Sequence, residues 1–514
     1  MPPNSINEMV SGSCVFLTGV TGFVGGCLLE RICQLDPGPE RVFVLVREKR
    51  GVDPHSRLQK MFSSPLFSKT PKKNLERVHV LEGDMGNNNK NLGLSEADQQ
   101  LIISHCTHVF HVAACISFVA PLDLAVRINL RGTWAILQLA KQMKKLRAMV
   151  HVSTAYANCT RDSDHAEFQE QIYHEDVDPV EVICALKKMS LDEIETKYAK
   201  LIGKYPNTYT LAKRLAENLL AQDGRGLPLS IVRPGIILNT WREPFPGWLD
   251  SVNSGACGFI AGAAKGIFCT FQARADMVMD VSPVDLVVST ILAAALKAER
   301  EPRPRRAHVF HCTSGSVNPT TWAAYCDSVI RASRQYPCAR VAWYPRMRLT
   351  RCFLRHRLAI IAFQMLPAFF IDLFAGFLKP PYSVLEIQRR YIKGSTQASY
   401  FSLREWEFTR NAADELIEML PEEERKKHPM DPRLIDWEVY FKNCVIGTRT
   451  YFHKESAESL PKARRTIAFL RVIAALAPLL SFFGLSCAFV LLAGLVWTTA
   501  ASVSAILVLT LVCL

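Results

Sequence analysis

The stretch CVFLTGVTGFVGGCLLERI, residues 14–32, carries the clearest structural signal in this chain. Its first four residues form an apolar run that predicts a buried β-strand, and residues 27–32 have the pattern of a helix. Three glycines between them have the spacing G-x-x-G-x-x-G: Gly19, Gly22 and Gly25. In a dinucleotide site, such glycines allow a tight turn, let the backbone approach a pyrophosphate and let the helix pack closely on the strand.

The phosphates of a dinucleotide would lie over the N-terminus of that helix, whose free N–H groups attract anions. The stretch therefore predicts a dinucleotide-binding turn. The alternative is a glycine-rich turn that binds nothing, because a glycine triplet alone is a weak signal.

Further apolar runs follow at intervals and alternate with helical patterns. The predicted strands are residues 14–17, Arg41–Val46, 77–81, 108–114, Ala148–Val152 and 229–233. Residues 124–146 predict a long amphipathic helix between two of them. Alternation of this kind predicts an α/β fold, a Rossmann-type doubly wound parallel sheet.

Charged residues follow the second and third predicted strands. Arg47 stands where an NAD-preferring site usually has Asp or Glu, and a guanidinium there suits the 2′-phosphate of NADP. Arg57 is a second candidate for that phosphate. Asp84 follows the third strand and could accept a hydrogen bond from the adenine amine. The alternatives are solvated loop charges for the arginines and an ordinary turn residue for Asp84.

Three histidines spaced by threes, His105, His108 and His111, invite a zinc interpretation. On a strand, that spacing sends neighbouring side chains to opposite faces, so they do not converge on one metal. We therefore predict no metal site. The sixteen cysteines are scattered and predict reduced thiols. Cys115, placed near the expected cofactor crevice, is interpreted as a core residue.

Hydroxyl, phenol and amine groups occur where hydride transfer would need them. Ser153 and Thr154 follow the fifth predicted strand, and Tyr209 and Lys213 are four residues apart on one helix face. Such a pair alone is an ordinary helix-surface pair. Together with the upstream glycine turn, however, these four residues predict a hydride-transfer site.

The glycine turn, the hydroxyls and the Tyr-x-x-x-Lys pair together resemble the extended short-chain dehydrogenase/reductase family. Three segments narrow the resemblance to the fatty acyl-CoA reductases that form alcohols: YPNTYTLAK (205–213), VRPGIILNTWREPFPGW (232–248) and SPVDLVV (282–288). Residues from about 357 to 452, with YFSLREWEF and LIDWEVYF, resemble that family's second, mostly helical domain. The resemblance covers nearly all of the chain.

This resemblance implies an NADPH-dependent reduction of long-chain fatty acyl-CoA to a primary alcohol, with CoA released and the aldehyde held as an intermediate. Tyr209 would be the proton donor, and Lys213 would lower its pKa and hold the nicotinamide ribose. Thr154 or Ser153 would bind the substrate oxygen, and Asn129 would help to fix the lysine through a water. The implied cofactor contacts are Gly19, Thr21, Gly22, Phe23, Val24, Gly25, Arg47, Arg57, Asp84, Met85, Ala113, Asn129, Tyr209, Lys213 and Pro234.

The C-terminus predicts a membrane anchor, because residues 472–514 contain no Asp, Glu, Lys, Arg or His. Residues 485–507 and 466–483 are the candidate spans, so one or two crossings are expected. Basic residues just upstream predict that the rest of the chain faces the cytosol. Family resemblance favours the peroxisomal membrane over the endoplasmic reticulum. A further apolar stretch, residues 358–378, is interpreted as helices of the C-terminal domain, with a third span as the alternative.

The predicted domains are a reductase domain at residues 11–300, a helical domain at 355–452 and the anchor at 466–514.

The net charge of +13 is not accompanied by a nucleic-acid-binding motif, so an anionic cofactor, an acyl-CoA substrate and a membrane are the expected partners. Two other functions remain open at this point. One is a membrane-bound extended short-chain dehydrogenase that acts on a sterol or other lipid, and the other is an NADP-binding scaffold.

Overall fold

The computed structural model describes residues 2–87, 91–160, 167–250, 255–301, 306–375, 383–493, 499, 501–505 and 508. The chain forms two compact units, each assembled from separate stretches. The first unit comprises Met1–Ser254, Val278–Thr320 and Glu405–Asp436, and the second comprises Gly255–Met277, Thr321–Arg404 and Trp437–Leu514.

Most strands of the first unit belong to one parallel sheet of seven, in the order β11-β7-β5-β4-β1-β2-β3. The described strands are β1 Cys14–Thr18, β2 Arg41–Val46, β3 Val78–Glu82, β4 His108–His111, β5 Ala148–Val152, β6 Glu167–Phe168, β7 Leu229–Pro234, β8 Ile236–Leu238, β9 Thr270–Gln272, β10 Val281–Pro283, β11 His308–Cys312, β12 Arg348–Thr350 and β13 Glu407–Phe408. The short strands pair in twos: β8 with β10, β9 with β12 and β6 with β13.

The described α-helices are α1 Ile6–Val10, α2 Phe23–Gln34, α3 Pro54–Phe62, α4 Lys72–Leu75, α5 Glu96–His105, α6 Leu122–Ala125, α7 Gly132–Gln142, α8 Pro179–Lys188, α9 Leu191–Lys197, α10 Ala199–Lys204, α11 Thr208–Asp223, α12 Gly255–Ala264, α13 Val284–Arg300, α14 Trp322–Gln335, α15 Phe353–Ile360, α16 Leu366–Ala375, α17 Val384–Ser402, α18 Asn411–Glu418, α19 Glu422–Lys427, α20 Trp437–Gly447 and α21 Leu460–Ala493. Shorter 3₁₀ and π-helical turns connect several of them.

The sheet forms the core of the first unit because its central strands are apolar and buried along their whole length. Every residue of β1, β5 and β7 is buried. Helix α13 packs on β5 and β7 and against α2, whereas α7 and α11 pack against each other. Strands buried on both faces under helices are typical of a doubly wound sheet. The predicted Rossmann-type parallel sheet is therefore confirmed.

The boundaries of some elements differ from the prediction. Strand β4 ends at His111 rather than at 114, and β3 is Val78–Glu82 rather than 77–81. The helix predicted over 124–146 consists of α6, a π-helical turn at Val126–Arg131 and α7. The π-helical turn is only six residues long and too short to change the hydrophobic period of the sequence, which explains the difference.

The second unit is mostly helical. Helix α14 packs against α12 and α20. Tyr325 on α14 lies at the centre of this packing, with its ring centroid 5.1 Å from that of Phe441 and 5.7 Å from that of Phe259. Aromatic pairs at these distances are stabilised beyond their burial alone.

Among the described residues, one helical segment, Phe353–Leu373, is long and apolar enough to cross a membrane. Length and composition do not separate such a segment from the core helix of a soluble protein. The predicted span at residues 466–483 lies within α21. The other predicted span, 485–507, falls largely outside the described residues.

Candidate active site

The glycine turn follows β1 and enters α2. Gly19 has a φ of +81°, and a Cβ there would lie 2.6 Å from the backbone nitrogen of Ala113. A Cβ on Gly25 would lie 2.6 Å from the carbonyl carbon of Gly19. Only glycine fits either position without a backbone shift. The turn therefore folds back on itself and against the segment that follows β4.

The turn lies at the point where the strand order reverses. Strand β1 pairs with β2 on one side and with β4 on the other. The Thr18 hydroxyl at the end of β1 accepts a hydrogen bond of 3.2 Å from the Ala113 N–H and so ties the two carboxyl ends together. In open α/β sheets, ligands bind in the crevice at such a reversal.

Helix α2 presents an open N-terminus to this crevice. Its N-cap, Gly22, provides no side-chain cap. The first helical N–H groups of any α-helix have no partner within the helix. Here these groups belong to Phe23, Val24 and Gly25, and Thr21 stands beside them in the turn. The arrangement fits the pyrophosphate of a dinucleotide, which needs N–H donors and close backbone approach.

Basic side chains gather beside the same turn. Arg57 donates a 3.0 Å hydrogen bond to the hydroxyl of Thr21 and another to the backbone carbonyl of Arg47. Burial and the nearby Arg47 lower the pKa of Arg57, and burial together with Arg57, Arg47 and Arg50 lowers the pKa of Lys49. Crowded positive charge of this kind fits a phosphate, which would relieve the repulsion.

Both carboxylate oxygens of Asp84 have partners within the protein. Its Oδ2 lies 3.0 Å from Nη1 of Arg47, and its Oδ1 accepts a hydrogen bond from the Gly86 N–H. The structure thus brings Arg47, Arg57 and Asp84 together at the carboxyl ends of β2 and β3.

The remaining predicted cofactor residues line the same edge of the sheet. Met85 is buried against Gly132, where a Cβ would lie 2.5 Å from the methionine methyl. Pro234 ends β7 and is paired in register with Cys312 of β11. Asn129 lies in the π-helical turn, where its amide group accepts from the N–H and donates to the carbonyl of Cys115. Its side chain therefore fixes the segment after β4, and its water-mediated link to Lys213 stays a prediction.

Tyr209 and Thr154 meet at the carboxyl end of β5. Thr154 follows β5 as the N-cap of a 3₁₀ turn, and Tyr209 stands in the first turn of α11. The Thr154 side chain lies close enough to the phenol to lower its pKa, and the ring of Phe118 lies 5.8 Å from that of Tyr209. The neighbouring Ser153 hydroxyl is buried and has no hydrogen-bond partner among the described residues.

Lys213 lies one turn along α11 and is 2% exposed. Its Nζ donates a 2.6 Å hydrogen bond to the backbone carbonyl of Val152, the last residue of β5. Burial lowers the pKa of Lys213 to about 8, and the carboxylate of Glu217 partly offsets this effect. The ammonium is thus held at the strand end just before the Ser153-Thr154 pair.

The pKa of Tyr209 shifts in the direction opposite to the prediction. The sequence predicts that Lys213 lowers it, but burial dominates and raises it, while the hydrogen bond with Thr154 lowers it by less. The reason is that the phenol is removed from water while the lysine ammonium is directed at the Val152 carbonyl. The phenol therefore stays protonated at neutral pH, which is the form that a proton donor requires.

Sequence reasoning missed a buried ion pair below the site. Arg233 and Glu217 are both fully buried, and the guanidinium donates from Nε and Nη2 to the two carboxylate oxygens at 2.9 and 2.6 Å. This pair joins β7 to α11, the helix that carries Tyr209 and Lys213. The signal available in the sequence was the charge of Arg233 at the end of an otherwise uncharged strand, β7, which a buried partner has to neutralise.

The histidines that invited a zinc interpretation have separate partners. His108 pairs with Glu299, whereas His111 hydrogen-bonds Thr18 and Thr133. Across the described part of the chain, no group of three or more His, Cys, Asp or Glu side chains is placed to hold a metal ion. Cys115 is half-buried near Tyr209 rather than in the core.

The chain matches known proteins over most of its length. Two family models described as Male sterility protein match the chain, one for an NAD-binding region at residues 17–291 and one at residues 363–455. Fatty acyl-CoA reductase 1 of Mus musculus and of Homo sapiens are each 35% identical over 472 residues, covering 91% of this chain and 90% of the relative.

Solved structures share the fold. The terminal R domain from the myxalamid PKS-NRPS biosynthetic pathway has a TM-score of 0.58 at 18% identity, covering 86% of this chain and 91% of that one. The reductase domain of a nonribosomal peptide synthetase from Mycobacterium tuberculosis has a TM-score of 0.54 at 18% identity, covering 87% and 92%. At these identities the likeness concerns the fold alone. The sequence relatives go further: sharing 35% of its residues with them over 91% of its length, this chain is an oxidoreductase that belongs to the fatty acyl-CoA reductase family.

Proposed function

We propose that this protein reduces long-chain fatty acyl-CoA to a primary fatty alcohol, using NADPH and releasing CoA. The observation that carries this proposal is the joining of Thr154, Tyr209 and Lys213 at the carboxyl end of β5, in the unit that holds the glycine turn. Family membership supports the substrate class, because the curated relatives are named fatty acyl-CoA reductases.

The cofactor proposal rests on the fit of the turn and of its basic neighbours. The N-terminus of α2 would hold the pyrophosphate, and Arg47 and Arg57 would hold the 2′-phosphate that distinguishes NADPH from NADH. Lys213 would also hold the nicotinamide ribose. Bound NADPH would supply the hydride for each reduction.

The side chains of this protein would manage the substrate oxygen and its proton. As negative charge develops on the carbonyl oxygen, Tyr209 donates its phenolic proton to it, and the hydroxyl of Thr154 donates a hydrogen bond to the same oxygen. The raised pKa of Tyr209 makes the phenol a weaker acid than a free tyrosine, so it gives up its proton only to a strongly basic oxygen such as the developing alkoxide. The ammonium of Lys213, held by Val152, favours return of a proton to the phenol.

The complete reaction consumes two hydrides. The first converts the thioester to a hemithioacetal, whose C–S bond breaks to release CoA and leave an aldehyde. The second reduces that aldehyde to the alcohol in the same site. Each turnover thus converts one acyl-CoA, two NADPH and two protons to one alcohol, one CoA thiol and two NADP⁺.

We further propose that residues 466–514 anchor the protein in a membrane with the catalytic domain facing the cytosol. Basic residues before the anchor support this orientation. The peroxisomal membrane is favoured over the endoplasmic reticulum, which would place the fatty alcohol product in ether lipid synthesis.

A stoichiometry measurement tests the proposed function. The purified full chain is given a long-chain acyl-CoA and NADPH, and NADPH loss, free CoA thiol and lipid products are followed together. We expect two NADPH consumed for each CoA released, with the primary alcohol as product. A ratio of one with aldehyde as the end product, or NADPH loss without CoA release, would contradict the proposal.

A further inference from the structure

We propose that the apolar segment Phe353–Leu373 of the second unit docks onto an anionic membrane surface and lies in the interface without crossing the bilayer. This contact is separate from the C-terminal anchor and does not depend on the catalytic proposal. It rests on three observations about the segment: an exposed apolar face, an attached stripe of buried residues and a flanking run of arginines.

The exposed face of the segment is large and apolar. Leu354 is 64% exposed, Ile361 58% and Leu373 56%. Others on this face are Leu358, Leu366 and Phe370, each more than 40% exposed. A contiguous apolar surface of this kind marks an interaction site, because soluble proteins rarely expose one to water.

The opposite side of the segment is attached to folded protein. Buried residues recur at every fourth position, which is one helix stripe: His356, Ile360, Gln364 and Ala368. Oγ1 of Thr270 on β9 lies 3.1 Å from Nδ1 of His356. Strand β9 pairs with β12, so the stripe is joined to a two-stranded β-ribbon.

These attachments favour an interfacial position over a crossing. An open two-stranded ribbon has unpaired backbone groups at its edges, and such edges are not found in the hydrocarbon of a bilayer. Asp372, near the end of the segment, accepts hydrogen bonds of 2.8 and 2.9 Å from the backbone N–H groups of Val384 and Leu385 at the start of α17. A helix held in this way can bury its free face in the interfacial layer while the unit stays in water.

The charge beside the segment selects the kind of membrane. The sequence from residue 340 to residue 371 contains no Asp or Glu. It contains six arginines, all within residues 340–357: Arg340, Arg346, Arg348, Arg351, Arg355 and Arg357. Two of them, with Arg331 and Arg334, also line an open groove of about 500 Å³ whose lining contains a single acid, Asp327. Basic clusters next to an apolar face are attracted to anionic lipid headgroups.

Depth-dependent quenching in the full chain tests this proposal. A fluorescent amino acid is placed at Leu358, and the protein is reconstituted in vesicles of phosphatidylcholine and phosphatidylserine that carry a nitroxide near the headgroup or near the chain end. The same label at Leu434, which is 63% exposed on the first unit, is the matched control. Both positions face solvent, so the label does not disturb a core.

We expect the shallow nitroxide to quench the Leu358 label several-fold more than the deep nitroxide does, with little quenching at Leu434. Reversing charge with Arg351→Glu and Arg355→Glu, or omitting phosphatidylserine, should reduce quenching at Leu358 several-fold. Quenching at Leu358 no greater than at Leu434 would overturn the proposal. This is also the result expected if a second copy of the protein, rather than a membrane, covered this face. Stronger quenching by the deep nitroxide would show a crossing, and insensitivity to charge would show that anionic lipid is not recognised.

Discussion

Thr154 and Ser153 are neighbours in the chain, yet their hydroxyls have different surroundings. The Thr154 hydroxyl accepts a hydrogen bond from the Tyr156 N–H and lies beside Tyr209, whereas the Ser153 hydroxyl has no partner among the described residues. From the sequence alone either hydroxyl could serve the substrate oxygen, because both follow the same strand. The geometry favours Thr154 for that role.

Substitution of each hydroxyl separates the two assignments. Thr154→Ala should lower kcat by about 100-fold or more, the usual cost of losing one donor at a developing oxyanion. Thr154→Ser should retain most of the activity. Ser153→Ala, the matched control, should change kcat by less than about threefold, because burying an unpaired hydroxyl contributes nothing favourable. A larger loss in Ser153→Ala than in Thr154→Ala would reverse the assignment.

The pH dependence should report Lys213 rather than Tyr209. Burial lowers the pKa of Lys213 to about 8 and raises that of Tyr209, so the lysine is the first of the two to lose its proton as pH rises. If its ammonium supports proton return to the phenol, kcat should fall about tenfold per pH unit above about 8. The measurement is kcat for acyl-CoA reduction against pH.

The control for this pH profile is Lys213→Arg. A guanidinium stays charged over the whole range, so the residual activity should lose its alkaline fall. An alkaline fall that persists in Lys213→Arg would assign it to another group.

Cofactor choice should depend on Arg47. Charge-assisted hydrogen bonds contribute about 1.5–3 kcal/mol each, so Arg47→Ala should raise the KM for NADPH by about 10- to 100-fold and leave that for NADH nearly unchanged. Arg41, exposed at the other end of β2 and paired with Glu40, is the matched control. Steady-state kinetics with both cofactors measure the effect. Equal losses for NADPH and NADH would contradict a 2′-phosphate role.

At the scale of single elements, the glycine turn was the most predictable feature of the molecule. The spacing of Gly19, Gly22 and Gly25 predicts a tight backbone turn, and each of the close approaches seen at Gly19 and Gly25 is to main-chain atoms. The π-helical turn that carries Asn129 was not predictable, because it is only six residues long and too short to change the hydrophobic period of the sequence. The hydrogen bonds between the Asn129 side-chain amide and the backbone of Cys115 are therefore evident only from the structure.

Two adjacent glycines of α2 provide a matched test of this turn. A Cβ on Gly25 would overlap the carbonyl group of Gly19, with the carbonyl carbon only 2.6 Å away, whereas the nearest contact of a Cβ on Gly26 would be an ordinary 3.4 Å. Gly25→Ala should cost about 1–3 kcal/mol of unfolding free energy and weaken NADPH binding at least tenfold. Gly26→Ala should be neutral or stabilising by up to about 1 kcal/mol. Urea unfolding and NADPH titration measure both, and similar behaviour of the two variants would contradict the assigned role of Gly25.

At the scale of the whole molecule, sequence reasoning predicted the class of fold but not its assembly. Apolar runs that alternate with helices predict a parallel sheet, because buried strands read as continuous apolar segments. They do not specify which strands pair, so the order reversal between β1 and β4 had to come from the structure. Each compact unit also gathers stretches that are far apart in the chain, and such contacts leave no local pattern.

The electrostatic state of the site was likewise beyond sequence reasoning. The Tyr209–Lys213 spacing predicts that the two side chains share a helix face, but the direction of a pKa shift depends on burial and on where each group is directed. The buried Arg233–Glu217 pair shows the same dependence, since its partners come from two separate elements.

The most direct test of the account is the activity of Tyr209→Phe in the full chain. The variant lacks only the phenolic oxygen, so NADPH affinity should stay within about twofold of the parent while acyl-CoA-dependent release of CoA thiol falls by about 100-fold or more. Binding is measured by NADPH fluorescence titration and turnover by thiol release in the same preparation. Turnover close to that of the parent, with NADPH binding intact, would contradict the assignment of Tyr209 as the proton donor.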